Sequence, residues 1–343
     1  MNRFLMNCHD HLQEALVGWN RFWFTPTDPA ALGLLRISAG AMLFYTHLVW
    51  TLRLNDFFGP TGLLTSSVAK ATRGSHFAWS FWNAIESPGL VWAVHIASLA
   101  ILALFTVGLW TRWTSILAFL VTVACVNRVP ITLFGLDQIN GMLVLYLMLA
   151  PSGSAYSTDR LIQRKRAGQG GTPVPYSTPA NIATRLIQIH MCVIYFFSGT
   201  GKLFSESWWN GTALWLAFGN YEYQSVDMTW LAHCPWTINF MTHITLAWEI
   251  PYAALIWPKW TRPVMLFLAV PLHLGIAITM GMFTFGMIML IANLAFVSPS
   301  LVRHILGSDS DQATDDKSSA AGNQQAHSRK TWPPKNPRGV KRV

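Results

Sequence analysis

The hydrophobic positions of this chain fall in long blocks rather than in strand-like alternation, and proline, glycine or charge bounds each block. Over residues 2–24 the apolar positions Phe4, Cys8, Leu12, Leu16, Trp19 and Trp23 recur at helical spacing, with Arg3, Asp10, Glu14 and Arg21 among them. That pattern predicts an amphipathic helix lying in a membrane interface. It has neither the continuous apolar run nor the small-residue cleavage site of a secretory signal.

The next block follows Thr27-Asp28-Pro29 and stays apolar to about Leu52. Asp28 suits an N-cap and Pro29 the first helical position. Further blocks cover residues 88–110, 113–126 (continuing toward Phe134), 136–150, 181–200, 236–257, 262–280 and 283–299. A hydrocarbon core needs about 20 apolar residues in a helix. The pattern therefore predicts an all-α integral membrane protein, a bundle of about eight transmembrane helices with an N-terminal interfacial helix. The short third, fourth and last two blocks leave seven to nine spans open.

Composition agrees with the pattern. Of 343 residues, 52% are hydrophobic and only 11% charged, with 17 Trp and 20 Phe, against roughly 25% charge in an average soluble domain. An ordinary soluble enzyme, a collagen and a disordered chain are excluded. Cys8, Cys125, Cys192 and Cys234 are scattered without a Cys-x-x-Cys pair, which excludes a disulfide framework and a thiolate zinc site.

The net charge of +9 reflects topology rather than nucleic-acid binding. With the N-terminus inside and eight spans, the inner basic residues are Arg3, Arg21, Arg112, Arg160, Arg164, Lys165, Arg166, Lys259, Arg262, Arg303 and those of the tail. The outer ones are Arg53, Lys70, Arg73, Arg128 and Lys202. This asymmetry places both termini of a multi-pass cell-membrane protein in the cytoplasm. Residues 152–178, rich in Gly, Ser, Pro and Arg, read as a flexible inner loop. Residues 308–343, first Ser/Asp/Gln-rich and then basic, read as a disordered cytoplasmic tail whose charge anchors topology. The expected division is 1–24 interfacial helix, 25–307 membrane domain and 308–343 tail.

Ionisable residues inside a bilayer are costly and hence the first candidates for function. They are Arg36, Asp137, Arg185, Lys202 and Glu249, with His95, His190, His243 and His273. Arg36 needs a partner such as Asp137 or Glu249, and reads either as a structural ion pair or as a clamp on a substrate oxygen. Glu249 lies two residues before Pro251, which frees the carbonyl of Ala247; His273 follows Pro271, which frees that of Phe267. Both read as polar notches in broken helices. No metal-binding histidine pattern, phosphate loop or nucleophile elbow is present.

The stretch Ile194-Tyr-Phe-Phe-Ser-Gly-Thr-Gly-Lys-Leu-Phe-Ser-Glu-Ser-Trp-Trp-Asn-Gly211 is the most informative. Ser198-Gly199-Thr200-Gly201 permits a helix break or a close helix contact. Lys202 then sits at an apolar boundary beside Trp208 and Trp209, which suit an interfacial belt. A lysine there is either a snorkelling anchor or a base made available by desolvation, opposed by a carboxylate such as Glu206.

Three blocks in order resemble the membrane domain of the vitamin K-dependent γ-glutamyl carboxylases and the wider horizontally transferred transmembrane domain (HTTM) family. They are Phe24-Thr-Pro-Thr-Asp-Pro-Ala-Ala-Leu-Gly-Leu-Leu-Arg36, Val193-Ile-Tyr-Phe-Phe-Ser-Gly-Thr-Gly-Lys-Leu203 with Trp208 and Gly211, and Pro271-Leu-His-Leu-Gly leading to Gly281-Met-Phe-Thr-Phe-Gly-Met-Ile-Met-Leu290. The resemblance covers about residues 20–300. It implies that Lys202 is the base that deprotonates reduced vitamin K or another quinol, with Arg36 and His273 in the matching blocks. Two departures stand against glutamate carboxylation. Where the carboxylases have a histidine entering the fourth membrane segment, Phe134-Gly-Leu-Asp-Gln-Ile-Asn-Gly141 has none, with Asp137 adjacent, and the large lumenal domain of the carboxylases is not expected here. The expected function is quinol- or lipid-linked redox or carboxylation-type (lyase/oxygenase) chemistry in an outward-facing pocket. Lys202 and His273 would be catalytic, and Arg36, Asp137, Glu249, Trp208 and Trp209 would bind substrate. The partners are the bilayer and a quinone or lipid, with no nucleic acid and no metal. Rival readings are a non-catalytic scaffold or partner subunit, which would not need Lys202, and a small-molecule transporter, which would show paired broken helices.

Overall fold

The computed structural model describes residues 2–71, 79–167 and 174–306, with side chains from residue 11. It divides into two compact units, residues 1–299 and 300–343. The second is described only through residue 306, so the expected tail lies outside the described residues.

The first unit is helical. Its principal elements are α1 (Asn2–Phe24), α2 (Ala30–Trp50), α3 (Pro88–Val107), α4 (Thr111–Arg128), α5 (Gly135–Leu149), α6 (Thr158–Ala167), α7 (Thr178–Lys202), α8 (Pro235–Leu255), α9 (Arg262–Thr279) and α10 (Phe283–Asn293). No strand is present among the described residues; an isolated bridge pairs Thr27 with Ser177. Four of the described helical stretches, Ala30–Phe58, Pro88–Val107, Thr178–Lys202 and Arg262–Thr279, are long and apolar enough to cross a membrane. The chain is thus an all-helical membrane protein.

Local chemistry sets the helix starts. Asp28 Oδ1 accepts from Ala30 N at 2.9 Å, so α2 begins one residue later than expected, with Pro29 as its N-cap. Ser87 Oγ caps α3 through Leu90 N, and Ser177 Oγ caps α7 through Ala180 N, each with proline in the first turn. Thr27 and Ser177 exchange backbone hydrogen bonds of 3.1 and 2.9 Å, which sets the starts of α2 and α7 side by side.

Helices α2 to α5 pack successively, as do α7 to α10, and α5 joins the two sets by touching α2, α7 and α10. Leu143, Val144 and Leu147 of α5, Ile187 and Met191 of α7, and Ile288 and Ala292 of α10 are fully enclosed there. α1 runs against α7: Asn181 Nδ2 donates to the carbonyls of Phe22 and Trp23 at 2.7 and 2.9 Å, and the Arg185 guanidinium lies over the Phe22 ring. Leu12, Leu16 and Trp19 of α1 are exposed.

Two sequence expectations need correction. The segment 152–178 is not structureless, because residues 158–167 form α6. Ser157 Oγ accepts from Arg160 N at its start, Asp159 sits in the first turn and Arg164, Lys165 and Arg166 in the last, which complements the helix dipole. The helices also run unbroken through Pro251 and Pro271. The lost amide at each position is absorbed within a continuous helix.

Candidate functional site

The C-terminal end of α7 carries Tyr195, Ser198 and Lys202, spaced three and four residues apart and therefore on one face. α8 presents Glu249 to the same face. Lys202 Nζ makes a close ion pair with Glu249 Oε2 and donates to Ser198 Oγ at 2.9 Å. The Trp208 ring centroid lies 5.2 Å from Nζ, within the range of a cation–π contact. Glu249 is 7% exposed, whereas the Lys202 side chain keeps 22% of its surface open. The carboxylate opposite Lys202 is therefore Glu249, not Glu206.

Gly199 makes this approach feasible. A Cβ at that position would lie 3.0 Å from Ile250 Cγ1 and 3.1 Å from both Glu249 Cβ and Ile250 N. The Ser-Gly-Thr-Gly segment thus serves close packing of α7 on α8, with α7 helical through Lys202.

One turn deeper lies a directional hydrogen-bond chain. Tyr252 OH donates to Asn293 Oδ1 at 2.5 Å, and Asn293 Nδ2 donates to the Tyr195 oxygen at 2.9 Å. Tyr195 OH in turn contacts His273 Nε2 at 2.7 Å. With Nε2 accepting from Tyr195, His273 Nδ1 carries the proton, and that buried Nδ1 has no hydrogen-bond partner. Tyr195, Tyr252 and His273 are each at most 2% exposed. Tyr195 shares the Lys202 face of α7 and Tyr252 lies one turn from Glu249 on α8, so the ion pair and the chain form one cluster drawn from α7, α8, α9 and α10.

Arg36 belongs elsewhere. It is fully buried and donates from Nη1 to Ser152 O at 2.6 Å and Ala155 O at 3.3 Å, and from Nη2 to Tyr156 O at 2.6 Å. Its partners are backbone carbonyls of the loop after α5, not Asp137 or Glu249. Gly108, with φ +72°, leaves room for the guanidinium, since a Cβ there would lie 2.8 Å from Arg36 Cζ. Because α2 and α7 start together, the 25 residues of α7, at about 1.5 Å each, carry Lys202 far from Arg36. Asp137 is also apart. It accepts from Phe134 N at 3.1 Å at the start of α5 and lines a small pocket with His47 and Asn140. No hydrogen bond or ion pair joins Asp137 to Lys202 among the described residues.

Of the aromatic candidates, Trp208 faces Lys202, while Trp209 donates Nε1 to Leu203 O at 2.7 Å and is largely exposed. Among the described residues no cluster of His, Cys, Asp or Glu is suited to a metal ion.

A family model for the HTTM domain matches residues 24–300. This chain is a member of the HTTM family. No curated protein and no solved structure matches it. The matched region of this HTTM protein contains the whole Lys202–His273 cluster.

Tyr195, Ser198, Tyr252 and Asn293 were not singled out by sequence. A signal existed for the first two, since they share the heptad face of Lys202. Tyr252 lies three residues after Glu249, on its face. Asn293 carried none, because an asparagine at the end of an apolar helix does not reveal what it faces.

Proposed function

We propose that this HTTM protein performs quinol- or lipid-linked redox or carboxylation-type chemistry, with Lys202 as the base and His273 as the group that steadies the substrate oxygen. The carrying observation is the partly open Lys202 amine, ion-paired to buried Glu249 beside a histidine whose buried Nδ1 has no partner. An oxygen-bearing, flat apolar molecule fits that donor set and the Trp208 face. A reduced quinone bound there supplies an acidic hydroxyl and two electrons.

The chain's own part is proton handling. Excluding water from an ion pair raises the cost of both charges, so an apolar ligand covering the pair favours transfer of the Lys202 proton to Glu249. Lys202 then takes a proton from the substrate hydroxyl: the O–H bond breaks, an N–H bond forms, and the new ammonium stays against the oxyanion. His273 Nδ1–H donates to the same oxygen, its ring held by Tyr195 and Asn293. Trp209, near the interface, borders the entry. Arg36 and Asp137 stand outside this assignment.

The proposal places this chemistry in an eight-span domain, residues 25–307, of the cell membrane. The eight spans are α2, α3, α4, α5, α7, α8, α9 and α10, with both termini cytoplasmic and α1 in the interface. The support is the basic-residue asymmetry and the exposed apolar side chains of α1.

The test is Lys202→Arg in protein reconstituted with a reduced quinone under oxygen and bicarbonate, following hydroquinone loss by absorbance at matched protein levels. Arginine keeps the charge but does not give up its proton, so turnover should vanish while the fold persists. Full turnover in the arginine variant would remove Lys202 as base. A cellular phenotype indifferent to Lys202→Ala would favour the scaffold reading.

A further inference from the structure

The direction of the Tyr252–Asn293–Tyr195–His273 chain is set by a backbone carbonyl. Asn293, on α10, is 4% exposed and takes its partners from the protein. Its Nδ2 donates to Met289 O at 2.9 Å as well as to the Tyr195 oxygen. A carbonyl oxygen only accepts, so the edge of the amide facing Met289 is the nitrogen. Turning the amide over would set Oδ1 against Met289 O, two acceptors with no proton between them.

The later links follow from that anchor. Oδ1 faces Tyr252 and takes its hydroxyl proton. The second Nδ2 proton occupies a lone pair of the Tyr195 oxygen. The Tyr195 hydroxyl has Asn293 and His273 as its hydrogen-bond partners and no third among the described residues, so its own proton goes to His273 Nε2. A neutral imidazole that accepts at Nε2 carries its proton on Nδ1. The opposite tautomer, protonated on Nε2, would strand both the Tyr195 hydroxyl proton and the Nδ1 lone pair, each a buried polar group without a partner. The observed arrangement leaves a single donor open, Nδ1–H.

We infer that Asn293 is a positioning residue that holds His273 as a donor through Nδ1 and so restricts the ligand atom opposite the ring to an acceptor, an oxyanion or carbonyl oxygen. This rests on the reading that His273 faces the substrate beside Lys202. Asn293 acts through Tyr195 and does not itself touch the ligand. When the quinol O–H bond breaks and its proton passes to Lys202, the electron pair stays on the oxygen, and a preset N–H gains most at that moment. The tautomer therefore acts on kcat more than on KM.

The experiment uses the full chain in nanodiscs with 15N-labelled histidine, the His273 signals being assigned by their loss in His273→Gln. At a pH where the ring is neutral, its 15N shifts show which nitrogen carries the proton. The unaltered protein should show protonated Nδ1 and unprotonated Nε2. Asn293→Leu keeps the bulk but removes the anchor, and an Nε2-protonated form should appear. Tyr252→Phe leaves the Met289 anchor in place and should keep the tautomer of the unaltered protein. On the same samples, kcat for quinol in Asn293→Leu should fall in proportion to the Nδ1-protonated fraction lost, with KM within about twofold. A proton on Nε2 in the unaltered protein overturns the inference whether or not the variants fold. So does an Asn293→Leu variant with an unchanged tautomer, a Tyr252→Phe variant with a changed one, or a kcat indifferent to the tautomer. The expected tautomers without quinol turnover in the unaltered protein would instead remove the proposed chemistry and leave Asn293 as the residue that orients His273.

Discussion

Removing Lys202 and removing Glu249 should not cost the same, and the difference follows from their burial. Lys202→Met leaves the Glu249 carboxylate, 7% exposed, without its counter-charge inside the bundle. Stranding a buried charge costs about 3–5 kcal/mol. Glu249→Gln leaves an ammonium that keeps Ser198 Oγ and the Trp208 face and has 22% of its side chain open. That loss should be only about 1–3 kcal/mol. The double variant Lys202→Met/Glu249→Met removes both charges and should be close to the unaltered protein in stability, since replacing a buried pair by apolar groups is often neutral. The resulting coupling is about 4 kcal/mol or more in magnitude. Lowering the pH should reduce the penalty of Lys202→Met, because a protonated carboxyl no longer needs a counter-charge. The measurement is denaturant unfolding in nanodiscs, followed by the fluorescence of the chain's 17 tryptophans, with quinol turnover measured on the same samples. The double variant should be stable and inactive. If the two single variants add to within about 0.5 kcal/mol of the double, Lys202 and Glu249 do not act as a pair and the site as described is wrong.

Three further outcomes are expected. Arg36→Met should strand the carbonyls of Ser152, Ala155 and Tyr156 and lower stability by about 3–5 kcal/mol, read as loss of accumulation and of thermal stability; wild-type levels would show that the loop does not depend on Arg36. Gly199→Val should push α7 away from Ile250, cost about 1–3 kcal/mol and impair turnover through Lys202. An unchanged melting temperature would refute the close contact. In a cysteine-free background, Asp227→Cys should react with an impermeant thiol reagent added to intact cells and Gln163→Cys should not, and the reverse pattern would invert the topology.

Much of the helical layout was legible in the sequence. The apolar blocks, the Asp28-Pro29 and Pro179 starts and the membrane class depend on the composition of short segments, so local pattern reports them directly. Lys202 itself was also legible, because a charge at the end of an apolar helix beside tryptophans is conspicuous whatever surrounds it. α6 was missed because Gly, Ser and Pro around it outweighed the short charged turn from Asp159 to Arg166 that complements a helix dipole.

The partners of the charges were decided only by tertiary structure. Arg36 meets carbonyls 116 to 120 residues away, and Lys202 meets a carboxylate 47 residues away. Periodicity shows which face of a helix is polar, but not which other helix covers it. That choice depends on where backbones can approach, as at Gly199 against Ile250 and Gly108 against Arg36. The same packing turns Tyr195, His273 and Asn293, individually unremarkable in the sequence, into one hydrogen-bonded chain next to Lys202. Local pattern reports the helices and marks Lys202 as a charge at a helix end; which side chains share that end is set by the packing of α7 against α8, α9 and α10, because a buried polar group takes its partner from whatever neighbour the packing supplies.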